Sequence, residues 1–393
     1  MQKESLLIGV DGGATKVSAW EIVYNESNST FLLGDASSTK SYREIKGYIP
    51  DFKPVDLNIQ LGERDLKKNT PEELQQEAVY VEACALAINN IVKKTGGTNV
   101  LIGIGMPGLK TEDKRGIAVV ANGPRMINYS DLLEKRLNSL DIKLAFPVNH
   151  LGSDADYCGI GENYSEDGLF RISSNAYYLG GGTGVADAMK LDGEIVTFDN
   201  AKAWMAKTWE MKSLEGLSLE RITAVGGIQK TYAEIAGKST ENLNTEGIYP
   251  LQISGLAKRG EEAAKKTYQI VNRDLASLLY ERIVTLNKGW QNLFEFVNPN
   301  KPKPNKQHAY LGKVFDTIII GQRLGELFDS EDGADIVKKP VLSKLNDLIQ
   351  NSDILADDVK LHYQDLNKIV KTSKLREAPA LGAGIDAFLT NKA

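Results

Sequence analysis

The stretch Leu6-Leu-Ile-Gly-Val-Asp11-Gly-Gly-Ala-Thr15-Lys16 decides how the rest of the chain is read, because Asn175-Ala-Tyr-Tyr-Leu179-Gly180-Gly-Gly-Thr-Gly184 repeats its plan about half a chain later. Each is a short apolar run, a glycine-rich turn and a second strand-like run, Lys16–Val23 in one case and Val185–Lys190 in the other. Strand, tight turn, strand is the economical reading of both. Taken singly, Asp-Gly and Gly-Gly are good hairpin formers and nothing more. Four glycines among the five residues Gly180–Gly184 are entropically costly unless the backbone does something unusual there. One recurrence at this distance predicts two related domains rather than a short-period array.

Glycine lets an anion approach the backbone without a Cβ in the way and frees N–H groups to turn toward it. Two such turns, one heading each half, predict a clamp on the phosphates of a nucleotide, with the active site in the cleft between two domains. Asp11, Gly12, Gly13, Thr15 and Lys16 form one side, and Gly181, Gly182, Thr183 and Gly184 the other. Asp11, at the mouth of its turn, is the candidate for holding Mg²⁺ through water.

Composition bounds the remaining possibilities. A chain of 393 residues, 42% apolar and 25% charged, predicts about two globular domains with cores of normal size. A net charge of −5 gives no pull toward nucleic acid or an anionic membrane. Cys84 and Cys158 alone make neither a disulfide framework nor a Cys-rich zinc site, which predicts a reducing compartment. The apolar run before Asp11 is too short for a signal peptide and no stretch approaches a membrane span, so the expectation is a cytoplasmic protein.

Along the chain, a third strand is expected near Phe31–Gly34, followed by a long polar stretch, Ser37–Pro71, that reads as an insertion. Thr70-Pro-Glu-Glu opens a helix running to about Lys94. Asn99–Gly105 is a continuous apolar run, the pattern of a strand buried on both faces. Further strands are expected at Gly116–Val120 and Leu144–Val148, a helix at Ser130–Leu137 capped by Ser130, and a helix beginning at Asp154. In the second half, strands are expected at Asn175–Leu179, Val185–Lys190, Glu194–Thr197 and Phe315–Ile320. Ser218–Lys288 is mostly helical, and Ala378–Leu389 closes the chain as a Gly/Ala-rich helix. This alternation predicts an α/β protein. The expected division is residues 1–150, joined by the last helix at about 375–393, and residues 151–374.

Gly152-Ser-Asp-Ala-Asp156 lies between a strand and the second glycine turn. Capping is the bland role for an aspartate that starts a helix. The sharper role for Asp154 is general base, since a hydroxyl attacking a γ-phosphate needs a carboxylate within hydrogen-bond reach; Asp156 satisfies the same spacing. Gly103-Ile-Gly-Met-Pro-Gly108 has the outline of a dinucleotide turn, but Pro107 does not suit the opening of a helix and no acidic ribose partner follows. His150, His308 and His362 are scattered without metal-ligand spacing.

These segments, with Leu381-Gly-Ala-Gly-Ile385 near the end, fall in the order seen in ROK-type sugar kinases, and the chain resembles that family from residue 6 to about 387. The resemblance implies the two-domain actin-like ATPase (ribonuclease-H-like) fold and transfer of the γ-phosphoryl of ATP, with Mg²⁺, to a hydroxyl of a hexose or hexose derivative. It implies Asp154 as the base, and Ser153 where the family has an asparagine that touches the sugar. Asn122, Gly108 and Glu210 are the implied sugar contacts, and Gly321, Gly382 and Ala383 the implied lining of the adenosine pocket. A homodimer is expected. The family's zinc cluster and its Glu-x-x-His pair have no counterpart here, and its Gly-Gly beside the adenosine is Gly321-Gln322. Two other readings stand beside this one. An actin-like ATPase without a sugar acceptor predicts ATP turnover that no sugar stimulates. A sugar-sensing regulator requires a DNA-binding segment before the first turn, where only five residues precede Leu6.

Overall fold

The computed structural model describes residues 5–66, 68–97 and 99–391, with the backbone of 392. The chain divides into two compact units, Met1–Gly168 with Glu377–Ala393, and Leu169–Arg376.

The first unit is built on β1 (Leu6–Gly12), β2 (Lys16–Asn25) and β3 (Thr30–Ser41), then α1 (Leu57–Gly62), α2 (Pro71–Thr95) and β4 (Asn99–Gly105). A small hairpin of β5 (Leu109–Lys110) and β6 (Ile117–Val119) comes next, then α3 (Tyr129–Asn138), β7 (Lys143–Leu144), β8 (Leu151–Gly152) and α4 (Asp154–Tyr164). The sheet runs β3-β2-β1-β4-β7, with β8 also on β4. β1, β2 and β3 pair antiparallel, whereas β4 joins β1, and β7 and β8 join β4, in parallel. The second unit repeats this scheme with β9 (Ala176–Gly181), β10 (Val185–Leu191), β11 (Glu194–Val196), β12 (Thr317–Gly321) and β13 (Val370–Thr372). Its order is β11-β10-β9-β12-β13, again an antiparallel meander continued by parallel strands. The recurring glycine turn is thus the first hairpin of each of two sheets with one topology.

Local chemistry accounts for most of the elements. β4 is buried along nearly its whole length, as a parallel strand covered on both faces must be. α2 opens with a capping box, Thr70 accepting from the Glu73 amide and Glu73 from the Thr70 amide, and ends at Gly96 with φ +72°. Ile8, Val10, Ile88, Ile102 and Ile104 centre the first core, and Leu179, Leu279, Ile283, Ile320 and Phe328 the second. In the second unit the fully buried Arg282 is matched by Glu281 (2.7 Å) and Asp187 (3.3 Å), with the Tyr177 hydroxyl 3.2 Å from its Nε. A buried guanidinium is tolerated because it is paired.

Several expectations change. β3 extends to Ser41, which pairs with Lys16, so residues 37–41 are sheet and the chain leaves it only at Tyr42. α3 begins at Tyr129 after Asn128; Ser130 is buried inside the helix and caps nothing. Residues 143–152 contribute two short strands on β4 rather than one at 144–148. The boundary lies after Gly168 and not after residue 150, because β8 pairs with β4 and α4 packs on the C-terminal helix Ala378–Lys392.

That helix approaches the sheet at backbone distance. A Cβ on Gly9 of β1 would lie 1.8 Å from the Ala380 carbonyl oxygen, and one on Gly103 of β4 would lie 1.8 Å from that of Ala383. A Cβ on Gly382 would lie 1.9 Å from the carbonyl oxygen of Tyr157 in α4. The first glycine of the segment Gly103–Gly108 therefore serves helix packing. Its last, with φ +94°, serves a turn. Gly382→Ala should lower stability by about 1–3 kcal/mol, the range for overpacking a tight contact. Chemical denaturation of the two proteins measures it, and equal midpoints and slopes would contradict this packing.

Candidate functional site

The first glycine turn leaves β1 at Asp11-Gly12 and closes with the Gly13 amide donating to the Lys16 carbonyl at 2.9 Å. Each carbonyl of the turn has a donor. The Tyr42 hydroxyl donates to Gly13 (3.1 Å), the Tyr80 hydroxyl to Ala14 (2.9 Å) and the Tyr42 amide to Thr15 (3.2 Å). The two tyrosine rings stack with centroids 3.6 Å apart. Among the described residues, the N–H groups of Ala14 and Thr15 donate to no acceptor. A loop with its carbonyls engaged and two amides open is a cradle for an anion. Thr15 and Lys16 are exposed beside it. Gly12 lies against Met106, whose Cε would be 2.6 Å from a Cβ placed there.

The second turn, in the other unit, reaches the same state by different means. The Gly182 amide donates to the Gly184 carbonyl (2.9 Å), and the Gly226 amide, at the start of the helix Val225–Ala236, donates to the Gly182 carbonyl (3.2 Å). Glu220 accepts from the Val185 amide at 3.1 Å. The N–H groups of Thr183 and Gly184 have no acceptor among the described residues. None of Gly180, Gly181, Gly182 and Gly184 has a positive φ. The unusual feature is therefore close approach: a Cβ on Gly184 would meet the Glu220 carboxylate at 2.4 Å, and one on Gly181 the Leu324 Cβ at 2.6 Å.

Asp154 is the first residue of α4, and the N-cap is Ser153, whose hydroxyl accepts from the Asp156 amide at 3.4 Å. Capping is thus Ser153's role, and Asp154 stands half-buried with its Oδ1 3.0 Å from the Ala155 amide. Its charge reaches Asp11. The Asp11 carboxyl is pushed up to about 7, first by burial, then by Asp154 and Glu377, with Lys16 opposing. Glu377, which directly precedes the C-terminal helix, had no sequence signal. Asp154 and Glu377 each act on Asp11, a repulsion that a divalent cation would relieve. Among the described residues no group of three His, Cys, Asp or Glu side chains is arranged to ligate a metal directly, and Mg²⁺ commonly keeps its waters.

The other residues singled out by sequence divide. Gly108 is exposed in its left-handed turn, and Asn122 is exposed on the loop after β6. Gly321 is buried against the Tyr178 ring at the end of β12. Gln322 comes next with φ +54°, so the backbone keeps a conformation that glycine adopts without strain. Its side chain reaches the second turn, where Cβ atoms on Gly180 and Gly182 would lie 3.1 and 3.4 Å from it. Glu210 is already occupied: one carboxylate oxygen meets Lys301 at 2.6 Å and the other the Lys207 amide at 2.7 Å. These contacts brace its own loop. Gly382 and Ala383, expected at the adenosine, are buried, and the smallness of Gly382 serves helix packing. The histidines make structural bonds: His150 to Asp386 (2.6 Å), His308 to the Thr285 carbonyl (2.9 Å) and His362 to the Phe315 carbonyl (2.9 Å). Tyr42 and Tyr80 escaped the sequence reading because a tyrosine carries no mark of which carbonyl its hydroxyl will find.

A raised carboxyl pKa favours folding at low pH and loses that contribution as pH rises through the folded value. Without divalent cation, wild type should therefore lose stability relative to Asp11→Asn between pH 4 and about 7. The loss is on the order of a few kcal/mol at about 1.4 kcal/mol per unit. Glu77, likewise raised to about 7 by burial, is common to both proteins and cancels. Thermal denaturation across this range measures the difference, and Mg²⁺ should reduce it; parallel curves would show that Asp11 carries no such burden.

No family model matches the sequence, and no curated protein sequence matches it. Solved structures match in fold. A ROK-family glucokinase from Streptomyces griseus, in complex with glucose and AMPPNP, shares 15% identity at a TM-score of 0.59, covering 98% of this chain and 100% of that one. A ROK hexokinase from Thermus thermophilus shares 15% at 0.54, covering 98% and 99%. A ROK-family transcriptional regulator, a homologue of the E. coli MLC protein, shares 12% at 0.52, covering 98% of this chain and 78% of its own. No helix among the described residues is long and apolar enough to cross a membrane. The chain has the two-domain actin-like ATPase fold of the ROK sugar kinases.

Proposed function

We propose that this protein is an ATP-dependent kinase that transfers the γ-phosphoryl group to a hydroxyl of a hexose or hexose derivative. The observation that carries this reading is Asp154. It is free of capping duty, half-buried at the start of α4, and electrostatically coupled to Asp11 at the head of an anion cradle. A carboxylate so placed has a task in phosphoryl transfer that an anion-binding protein without an acceptor would not require. The fold supports the reading, since the structures that share it are mainly carbohydrate kinases.

In this mechanism the acceptor hydroxyl gives its proton to Asp154 as its oxygen bonds to the γ-phosphorus. The bond from that phosphorus to the bridging oxygen breaks, and ADP leaves with the electron pair. The amides of Ala14 and Thr15, the Thr15 hydroxyl and Lys16 hold phosphate oxygens from the first unit. In the second unit the amides of Thr183 and Gly184 are the corresponding donors for an anion. Asp11, with the charge of Glu377 acting on it, would hold Mg²⁺ through water, and the ion would supply charge neutralisation to the phosphates. Asn122, Ser153 and the backbone at Gly108 hold the acceptor. Gly321 and Gln322 are assigned to the adenosine side.

A coupled ATP-consumption assay across hexoses, amino sugars and N-acyl sugars should find an acceptor. Asp154→Asn should then lower kcat by about 10²–10⁴-fold, the usual contribution of a general base, with ATP affinity nearly unchanged. Sugar phosphorylation retained in that variant would sink the assignment and turn attention to Asp156.

A further inference from the structure

The helix α1 is turned inside out. Leu57, Ile59 and Leu61 are 43%, 53% and 52% exposed, while Gln60 is its buried residue, at 0%. Burying a primary amide costs free energy unless its polar atoms find partners. Those of Gln60 do: Oε1 accepts from the Val120 amide at 2.8 Å, and Nε2 donates to the carbonyls of Val120 (3.1 Å) and Val55 (2.6 Å). The side-chain amide thus serves both backbone groups of the residue following β6, as a neighbouring strand would. A stretch of helix that exposes three large apolar side chains to bury one glutamine is not organised for its own stability.

What Val120 carries explains the arrangement. Ala121 and Asn122 come after it as exposed residues, and the chain is buried again from Gly123. The far side of this loop is held at Arg125, whose guanidinium meets Glu73 at 2.7 and 2.8 Å and Glu63 at 2.7 Å. Asn69 donates to the Arg125 carbonyl at 2.9 Å. Asn122 is therefore the free apex of a loop fixed at both feet by residues 60–73. Gly108 rests on the same support, since a Cβ there would lie 2.5 Å from the Val119 carbonyl oxygen and 3.1 Å from the Val120 Cβ. The two acceptor-side positions share one backbone, and Gln60 holds it.

We propose that Gln60 is a positioning residue for the acceptor: by pairing with both backbone groups of Val120 it sets the Asn122 loop and the Gly108 turn at the separation that a polyhydroxylated ring requires. This rests on the kinase reading. The segment after β3 is accordingly part of the acceptor site, although none of its side chains is assigned to touch the sugar. A ring held by several directional hydrogen bonds loses affinity when its donors and acceptors are displaced by a few tenths of an ångström.

The test uses the full chain and the sugar that wild type phosphorylates best. Gln60→Leu keeps the volume and removes all three hydrogen bonds. Gln60→Glu keeps the acceptor for the Val120 amide and serves if the first variant does not fold. We expect the KM for sugar to rise about tenfold or more in Gln60→Leu and less in Gln60→Glu, with the KM for ATP within about twofold of wild type. In an Asn122→Ala background, Gln60→Leu should raise the sugar KM by less than it does in wild type, because part of its effect passes through Asn122. A purely structural glutamine would shift both KM values alike, or shift neither, and would add its full effect to Asn122→Ala; any of these overturns the inference. If wild type phosphorylates no sugar, the kinase reading fails and this inference with it. If wild type phosphorylates sugar and the KM values do not separate, only the role of Gln60 falls.

Discussion

The first unit depends on the approach of the C-terminal helix to β1 and β4 at backbone distance, through Gly9, Gly103 and Gly382. Because no side chain intervenes, the helix sets where β1 and β4 end relative to α4. β1 ends just past Asp11, and the residue after β4 is Met106, which packs on Gly12. α4 begins with Asp154. The groups assigned to chemistry are thus held by main-chain contacts, which have few alternative arrangements. The contact also explains why residues distant in sequence return to this unit: Glu377, at the head of the same helix, adds its charge to that around Asp11.

The two glycine turns reach the same end by unlike routes. In the first, stacked tyrosines hold the carbonyls of the turn. In the second, a helix start and Glu220 fix the backbone. Both leave two amides without protein partners among the described residues. An open pair of amides recurring at equivalent places in two sheets is the feature on which the proposed phosphate contacts rest. The second unit adds a strained position beside its turn, Gln322, and strain retained next to a candidate site is the expected pattern where binding geometry takes precedence over local comfort.

The residues proposed for the acceptor side are braced from elsewhere in the chain. Glu210 is bound to Lys301 and to the Lys207 amide, and no histidine lies near it in sequence. The support comes instead from the segment after β3, which supplies Gln60, Glu63 and Asn69 to the loop bearing Asn122. A polar stretch was legible there, but not its purpose. A glutamine has no sequence signature that separates a solvated side chain from one serving as a surrogate strand.

The repeated strand–glycine–strand unit, the continuous apolar run at Asn99–Gly105 and the Thr70-Pro-Glu-Glu start determined the element order and the duplicated architecture, because they express local rules of period, turn and cap. The repeated unit nominated Asp11, Thr15 and the second turn, and the separate segment Gly152-Ser-Asp-Ala-Asp156 nominated Asp154. Tertiary structure alone decided the rest. It assigned α4 to the first unit through strand pairing, gave Gly382 and Ala383 to packing and Glu210 to an ion pair, and brought Tyr42, Tyr80, Gln60 and Glu377 to positions that no local pattern announced. The reason is physical: hydrophobic period and turn chemistry act over a few residues, whereas a hydrogen bond or a shared charge between residues far apart in the chain exists only once the fold has closed the distance.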